Sequence, residues 1–332
     1  MKVFITGGAG YCGARMVPQL LDLGYEITVY DRCFFGSDFL PKNDKRFTLV
    51  QGDIRDTEMI EKSCKKHDAF INLACISNDA SFELDEALST NINLKAFLPM
   101  VKAAKRSGIK RFIYASSSSV YGVSDAPEVT EEHPLVPITL YNKYKGECEP
   151  QLLSEATDKF ETVIFRPATV CGYSPRQRLD LSVNILTNLA INTNKITVFG
   201  GNQRRPNIHI QDYIDVVKLL ISAPSDKVQN QIFNVGNENL TISSIAEIVK
   251  KVVSLNFPEK SDIQVTHSKN DDNRSYHINS DKIYNAIGFR AKRTVQDAVQ
   301  ELCDAFKKGL LPNSLTDNKY FNVRTFKDLA VK

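Results

Sequence analysis

The stretch Thr6-Gly7-Gly8-Ala9-Gly10-Tyr11-Cys12-Gly13 decides the fold of this 332-residue chain. It follows a short apolar run, Val3–Thr6, that is typical of a buried strand, and it leads into the helical pattern of Met16–Leu23. Glycines are needed at such a turn because the backbone turns tightly and must approach a pyrophosphate closely, while the helix N-terminus offers its N–H groups to the anion. This glycine loop (residues 6–13) therefore predicts a dinucleotide site, with contacts from Gly7, Gly10, Tyr11, Cys12 and Gly13.

Short apolar runs alternate with helical patterns through the first half of the chain. The predicted strands are Val3–Thr6, Ile27–Asp31, Thr48–Val50, Ala69–Ala74, Arg111–Ser116 and Thr162–Arg166. The helical patterns between them are Met16–Leu23, Glu58–Lys65, Leu84–Lys105 and Tyr141–Ala156. Because parallel strands need crossover connections, this alternation predicts an α/β fold built on a doubly wound parallel sheet of the Rossmann type.

The alternation weakens after about residue 167, where shorter elements follow a stretch containing proline, arginine and glycine. We therefore expect a Rossmann domain that binds the dinucleotide over residues 1–167, with residues 207–236 returning to it. Residues 168–206 and 237–332 are expected to form a smaller C-terminal α/β lobe that binds substrate.

Composition narrows the possible partners. The 42 Lys and Arg residues nearly balance 39 Asp and Glu residues, and 42% of the chain is hydrophobic. These values predict neither a nucleic-acid partner nor a membrane partner. The seven cysteines form no Cys-x-x-Cys pair, so no metal site is expected, and glycines interrupt the N-terminal apolar run too early for a signal peptide. A cytoplasmic protein is expected.

An acidic residue ends the second predicted strand. The carboxylate of Asp31 can accept hydrogen bonds from the adenosine ribose hydroxyls and would repel a 2′-phosphate, which favours NAD over NADP. The neighbouring Arg32 could accommodate that phosphate, so NADP stays open as the alternative. Other strand ends should line the same crevice, which adds the cofactor candidates Asp53, Ile54, Leu73 and Ala74.

Tyr141 and Lys145 are four residues apart on a predicted helix and therefore lie on one face. A phenol has a pKa of about 10, and lowering that pKa by about three units requires roughly 4 kcal/mol of preferential stabilisation of the phenolate. A lysine ammonium and a nicotinamide cation can supply the charge. A hydroxyl of the serine run Ser116–Ser119, at the end of the fifth strand, could bind a substrate oxygen beside the tyrosine. The competing interpretation of Tyr141 and Lys145 is that they belong to a solvent-exposed helix face.

The combination of these motifs resembles the extended short-chain dehydrogenase/reductases, specifically the NAD-dependent sugar-nucleotide epimerase/dehydratase family. The resemblance covers essentially the whole chain and includes the segments 112–122 and 205–212. The short motifs at 166–172 and 174–184 are similar to a subgroup containing bacterial surface-polysaccharide sugar-nucleotide 4-epimerases and GDP-heptose 4-dehydrogenases. The family also implies a homodimer that pairs through the helices at Leu84–Lys105 and Tyr141–Ala156.

The resemblance assigns roles residue by residue. It implies that Tyr141 is the general base, that Lys145 binds the nicotinamide ribose and lowers the tyrosine pKa, and that Ser117 is the catalytic hydroxyl. Asn93 would place the cofactor or the catalytic residues. Arg205 matches the arginine that binds the substrate diphosphate. The substrate, a nucleoside-diphosphate sugar, would contact Ser118, Thr169, Arg176, Arg178, Asn184, Arg205 and Arg274.

Family members that are 4,6-dehydratases resemble one another in carrying an Asp-Glu pair directly after the catalytic hydroxyl residue. Here those positions are Ser118 and Ser119, which lack carboxyl groups for proton transfer during elimination. The leading prediction is therefore oxidation of a sugar hydroxyl, at C4, with re-reduction to an epimer. Net 4-dehydrogenation or keto-sugar reduction is the alternative, dehydration ranks below both, and a non-catalytic dinucleotide sensor ranks last.

Overall fold

The computed structural model describes residues 1–260, 262–268 and 275–329. Its strands are β1 (Lys2–Thr6), β2 (Glu26–Asp31), β3 (Phe47–Gln51), β4 (Ala69–Asn72), β5 (Arg111–Ala115), β6 (Glu161–Pro167), β7 (Thr169–Cys171), β8 (Lys195–Phe199), β9 (Arg204–His209), β10 (Gln231–Val235), β11 (Glu238–Thr241) and β12 (Gln264–Ser268). Its helices are α1 (Tyr11–Asp22), α2 (Thr57–Ser63), α3 (Asp79–Phe82), α4 (Glu86–Thr90), α5 (Phe97–Arg106), α6 (Leu140–Leu153), α7 (Ser182–Thr193), α8 (Ile210–Ser222), α9 (Ser225–Val228), α10 (Ile242–Asn256), α11 (Asp281–Ile287), α12 (Val295–Lys307) and α13 (Asn322–Leu329).

Among the described residues, seven strands form one parallel sheet in the order β10-β6-β5-β4-β1-β2-β3. The strand order reverses beside β1, and the crevice above such a reversal is where doubly wound sheets bind ligands. The predicted doubly wound Rossmann fold is confirmed. Of the segment 207–236, β10 joins this sheet, whereas residues 207–209 belong to β9 in a separate sheet of order β11-β9-β7.

Alternate residues of β1 are buried on opposite faces of the large sheet. Val3 and Ile5 pack with α1 and α8 on one face, and Phe4 packs with Phe70 and Phe112 on the other. Side chains alternate along a strand, so a strand covered by helices on both faces must be apolar at every position. This requirement explains the uninterrupted apolar run before the glycine loop.

The predicted single helix Leu84–Lys105 is divided in the structure. The Asp85 side chain caps α4 by accepting from the Leu88 N–H, so the helix begins after Leu84. A π-helical turn at Asn91–Lys95 then separates α4 from α5. Such turns are often found at functional sites, and this one contains the site candidate Asn93.

The smaller lobe has its own core, in which α7, α10 and α12 pack around β8. Glu301 of α12 connects this lobe to the Rossmann half by binding Arg15 of α1, with two nitrogen–oxygen distances of 2.7 Å. The same carboxylate accepts the Tyr173 N–H at 2.9 Å. No helix within the described ranges has the length and apolar character that a membrane span requires.

The Glu301 contact predicts acid sensitivity. Burial raises the pKa of Glu301, but hydrogen bonds from His209 and Arg15 outweigh it and lower the pKa from 4.5 to about 2. A lowered carboxyl pKa stabilises the fold above pH 4.5, and this contribution disappears as the pH falls towards 2. Glu301→Gln should therefore reduce the free energy of unfolding at pH 7 by about 2 kcal/mol, allowing for solvent screening of the partly exposed carboxylate.

Urea unfolding at a series of pH values measures this difference. The gap between wild type and Glu301→Gln should narrow as the pH falls below 4.5. The matched control is Glu247→Gln, at an exposed position on α10, and it should leave stability unchanged at every pH. A gap for Glu301→Gln that does not vary with pH would contradict the assigned ion pair.

Candidate active site

A cavity of about 370 Å³ opens at the carboxyl ends of the central strands, where β1, β4 and β5 meet α1 and α6. Most of the residues predicted from the sequence line it together: Gly7, Gly10, Tyr11, Cys12, Gly13, Asp31, Arg32, Asp53, Ile54, Leu73, Ala74, Ser117, Ser118, Tyr141, Lys145, Thr169, Arg176 and Arg178. The fold thus brings the dinucleotide motif, the tyrosine pair and the serine run into one chamber.

The glycine loop has no room for side chains. Gly7 has a φ of +75°, and a Cβ added there would lie 2.6 Å from the backbone nitrogen of Ala74. A Cβ at Gly13 would lie 2.3 Å from the Gly8 carbonyl oxygen. Among the described residues, no side chain caps the N-terminus of α1 at Gly10. The closely approached backbone and the uncapped helix start both fit a bound pyrophosphate.

The Asp31 carboxylate lies beside the glycine loop at the end of β2. It accepts the Ala9 N–H at 3.0 Å and the Cys33 N–H at 2.7 Å. Burial raises the pKa of Asp31, and the two backbone hydrogen bonds oppose that shift. The carboxylate is thus held in place at the edge of the cavity, where a ribose hydroxyl can reach it.

Arg32 pairs with Asp53, and this pairing bears on the choice between NAD and NADP. Its guanidinium donates to the Asp53 carboxylate and lies 4.8 Å from the centre of the Phe34 ring. Burial raises the pKa of Asp53, but hydrogen bonds from Arg55 and Arg32 lower it to about 2. Asp53 engages the Arg32 guanidinium but shares its single negative charge with Arg55, so the charge of Arg32 is only partly balanced. This engagement leaves Arg32 fewer free donors for a 2′-phosphate.

Tyr141 and Lys145 lie one turn apart in α6. The helix starts at this point because the Thr139 hydroxyl accepts the Asn142 N–H and donates to the Asp79 carboxylate. Lys145 is buried, and its ammonium donates to the Ala115 carbonyl at 2.7 Å. The end of β5 thereby holds the lysine beside the cavity.

The charge around Tyr141 includes a contribution that the sequence did not suggest, in addition to the expected Lys145 ammonium and nicotinamide cation. Burial, followed by the charges of Cys75 and Asp79, raises the pKa of Tyr141 well above 10. The guanidinium of Arg178 acts in the opposite direction and lowers it. Arg178 therefore supplies positive charge near the phenol, in addition to the charge that a bound nicotinamide would bring.

The Ser117 hydroxyl belongs to a short hydrogen-bonded chain. It lies 2.7 Å from the Ser119 hydroxyl, which in turn donates to the Asn142 side-chain oxygen. Asn142 is fully buried, and its side-chain nitrogen finds no hydrogen-bond partner in the described part of the chain. Ser118 points elsewhere, with its oxygen 3.4 Å from the Tyr276 hydroxyl. Of the four serines, Ser119 is therefore the one that holds the Ser117 hydroxyl.

Three of the predicted residues that the structure describes do not line the cavity, and a fourth predicted residue is not described. Asn93 holds the loop after β4 by bonding both the N–H and the carbonyl of Ile76, at 2.8 Å each. Asn184 is buried and bonds Gly172 N–H and the Tyr11 hydroxyl, so its contacts are structural. Arg205 lies on β9 in the second sheet and is absent from the cavity lining, although β9 pairs with β7, whose Thr169 does line it. Arg274 lies outside the described residues.

Several residues that the sequence reasoning missed do line the cavity: Phe34, Phe35, Ser77, Tyr213, Asn322 and Phe326. Tyr276, which the sequence offered as a contact to the base or sugar of the substrate, lines it as well. Phe34 and Phe35 could have been found, because they come three and four residues after Asp31 and loops after strand ends line the crevice. Asn322 and Phe326 have no such local signal, since they come from the last helix of the described chain.

A glycine loop, an acidic strand end and a Ser–Tyr–Lys set that share one cavity define a dinucleotide-dependent enzyme of the short-chain dehydrogenase/reductase type. The chain belongs to the NAD dependent epimerase/dehydratase family, whose model matches residues 3–236. The expectation of an NAD cofactor is confirmed, and so is the resemblance to the extended short-chain dehydrogenases/reductases.

The relatives of the chain include enzymes named for each of the two reactions in the family's name, epimerisation and dehydration. A UDP-glucose 4-epimerase of Lactobacillus helveticus is 26% identical over 277 residues, covering 78% of this chain and 83% of that protein. A dTDP-glucose 4,6-dehydratase of an Actinoplanes species is 26% identical over 315 residues, covering 91% and 96%. The crystal structure of a UDP-glucose 4-epimerase of Thermotoga maritima with UDP-glucose matches with a TM-score of 0.83 at 22% identity, covering 93% of this chain and 100% of that chain.

Proposed function

We propose that the protein is an NAD-dependent 4-epimerase of a nucleoside-diphosphate sugar. The observation that carries this proposal is the placement of Ser117, Tyr141 and Lys145 in the cavity that also contains the glycine loop. NAD, when bound, supplies the acceptor and donor of hydride for the sugar carbon. The protein's own residues handle the proton and hold the sugar.

Tyr141 is the proposed base for the sugar hydroxyl. Its phenolate accepts the hydroxyl proton as the alcohol is oxidised and returns it when the ketone is reduced, so one group serves both directions. Ser117 donates a hydrogen bond to the sugar oxygen and keeps it beside the phenol. Arg178 places positive charge near the phenol and favours the phenolate. Lys145, held against the Ala115 carbonyl one helical turn away, is proposed to bind the nicotinamide ribose.

The serines that replace the acidic pair support epimerisation over dehydration. Ser119 is engaged with Ser117 and Asn142, and Ser118 lies beside Tyr276. A serine hydroxyl does not titrate in the range where enzymes act, so neither residue can shuttle the protons that elimination across C5 and C6 requires.

Arg178 is the residue we propose for the substrate diphosphate. Its Nε donates to Asp180 at 2.9 Å and its Nη1 donates to Ser77 at 3.2 Å, while its buried Nη2 has no hydrogen-bond partner within the described ranges. A guanidinium with a spare buried donor suits phosphate oxygens. Thr169 and Ser118 are proposed to contact the sugar. The homodimer and the cytoplasmic location stay predictions.

A substrate panel tests the reaction. The purified protein is incubated with NAD and UDP-, GDP-, CDP- or dTDP-sugars, while NADH absorbance and the proton NMR spectrum of the sugar are followed. A 4-epimer that forms without accumulation of NADH is the expected result. Stoichiometric NADH indicates a dehydrogenase, a 4-keto-6-deoxy product indicates a dehydratase, and silence across the panel with cofactor bound would overturn the proposal.

A further inference from the structure

The last described helix reaches the cofactor end of the cavity. Asn322 and Phe326 of α13 are four residues apart, so they share a helix face, and both line the cavity. The Phe326 ring lies 5.5 Å from the Phe35 ring and 5.9 Å from the Phe34 ring, in edge-on geometry. These three rings form an aromatic cluster (Phe34, Phe35 and Phe326) next to the Asp31 carboxylate.

Asn322 holds α13 against both halves of the protein. Its side-chain nitrogen donates to the Ser77 hydroxyl at 2.9 Å, and its backbone N–H donates to the Asp180 carboxylate at 2.9 Å. Its side-chain oxygen accepts from Arg176 at 2.6 Å. One residue therefore joins the loop after β4, in the Rossmann half, to the loop before α7.

Arg176 lies between this helix and the glycine loop. Its guanidinium stacks 3.6 Å from the centre of the Phe35 ring, and its buried Nε has no hydrogen-bond partner in the part of the chain that is described. Burial and the charge of Arg178 lower the pKa of Arg176 to about 9. The guanidinium groups of Arg176 and Arg178 are both buried near the N-terminus of α1. A bound anion would stabilise these two positive charges.

We propose that α13 and Arg176 complete the cofactor site as its outer wall, with the aromatic cluster covering the adenosine end and Arg176 donating to a cofactor phosphate. Arg176 is thereby assigned to the cofactor, although sequence resemblance placed it with the substrate. With α13 in this position, release of the cofactor past the wall should be slow. Slow release of the cofactor suits the proposed epimerase function, because an epimerase uses the same NAD molecule for the oxidation and for the re-reduction. Only this benefit rests on the proposed function; the position of the wall does not.

Cofactor release tests the wall without any sugar substrate. The full-length protein is loaded with NADH, chased with excess NAD, and the loss of bound NADH fluorescence gives the dissociation rate. Phe326→Ala and Asn322→Ala should each release NADH roughly tenfold faster than wild type, an effect of the size found when a base loses an aromatic stacking partner. Phe326→Leu, which keeps apolar packing, should fall between wild type and Phe326→Ala.

Leu329→Ala is the matched control, because Leu329 lies on the same helix, is exposed and does not line the cavity. It should release NADH at the wild-type rate.

Thermal unfolding of the cofactor-free proteins shows whether each variant is folded. If Phe326→Ala does not fold, Phe326→Leu serves as the test in its place. Release rates within twofold of wild type in folded Phe326 and Asn322 variants would overturn the proposal. Because only the cofactor is used, a negative result in the substrate panel leaves this outcome unaffected.

Discussion

Tyr141→Phe is expected to lower turnover about 10³-fold while leaving NADH binding unchanged. Phenylalanine keeps the ring and its packing at the start of α6 but removes the oxygen that exchanges the proton with the sugar. The turnover number on the sugar nucleotide identified in the panel measures the first effect. A fluorescence titration with NADH measures the second.

The pH profile separates a base from a residue that only shapes the site. Burial raises the pKa of Tyr141, so the phenolate is scarce at neutral pH in the absence of ligands. The rate of the wild type should therefore rise with pH, and the residual rate of Tyr141→Phe should not follow that profile.

Tyr144→Phe is the control for the tyrosine substitution. Tyr144 is on the same helix, its ring packs 5.7 Å from the Phe82 ring, and it does not line the cavity. It should retain the wild-type turnover. More than a tenth of wild-type turnover in Tyr141→Phe would rule out the assigned base.

The features that the sequence predicted well depend on neighbours in the chain. The glycine loop, β1 and α1 form one continuous unit, so residue spacing alone indicates the strand, the turn and the helix. Tyr141 and Lys145 are one helical turn apart, and helical geometry places them on one face wherever the helix packs. Asp31 was predictable because it ends a strand whose apolar pattern is clear.

The features that the sequence could not predict depend on distant contacts. Asn322 binds Ser77 across 245 positions of the chain, and no pattern around either residue indicates the other. Arg32 looked available for a phosphate until the fold placed Asp53 beside it. The position of Arg205 depends on which sheet its strand joins, and residue pattern does not determine this choice.

Removal of one partner from a buried ion pair beneath the site is expected to cause the largest loss of stability among the variants considered. Arg166 of β6 binds Glu149 of α6 through two nitrogen–oxygen pairs of 2.9 and 2.6 Å, and their side chains are only 4% and 3% exposed. Glu149 also accepts the Ser116 hydroxyl at 2.6 Å, immediately before Ser117. Arg166 donates its remaining nitrogen to the Tyr121 hydroxyl at 2.7 Å. Although burial lowers the pKa of Arg166, Glu149 outweighs burial and raises it.

Glu149→Ala should lower the free energy of unfolding by about 3–5 kcal/mol, because it leaves the Arg166 charge buried without a partner. The matched control is Glu147→Ala on the same helix, where an exposed pair with Lys143 at 3.8 Å should contribute less than about 1 kcal/mol. Urea unfolding of both variants gives the comparison.

The double variant Glu149→Leu with Arg166→Met should recover much of the lost stability, since most of the penalty comes from the unpaired charge and little from the lost attraction. If the double variant is as unstable as Glu149→Ala, the loss is one of packing and the charge argument is wrong.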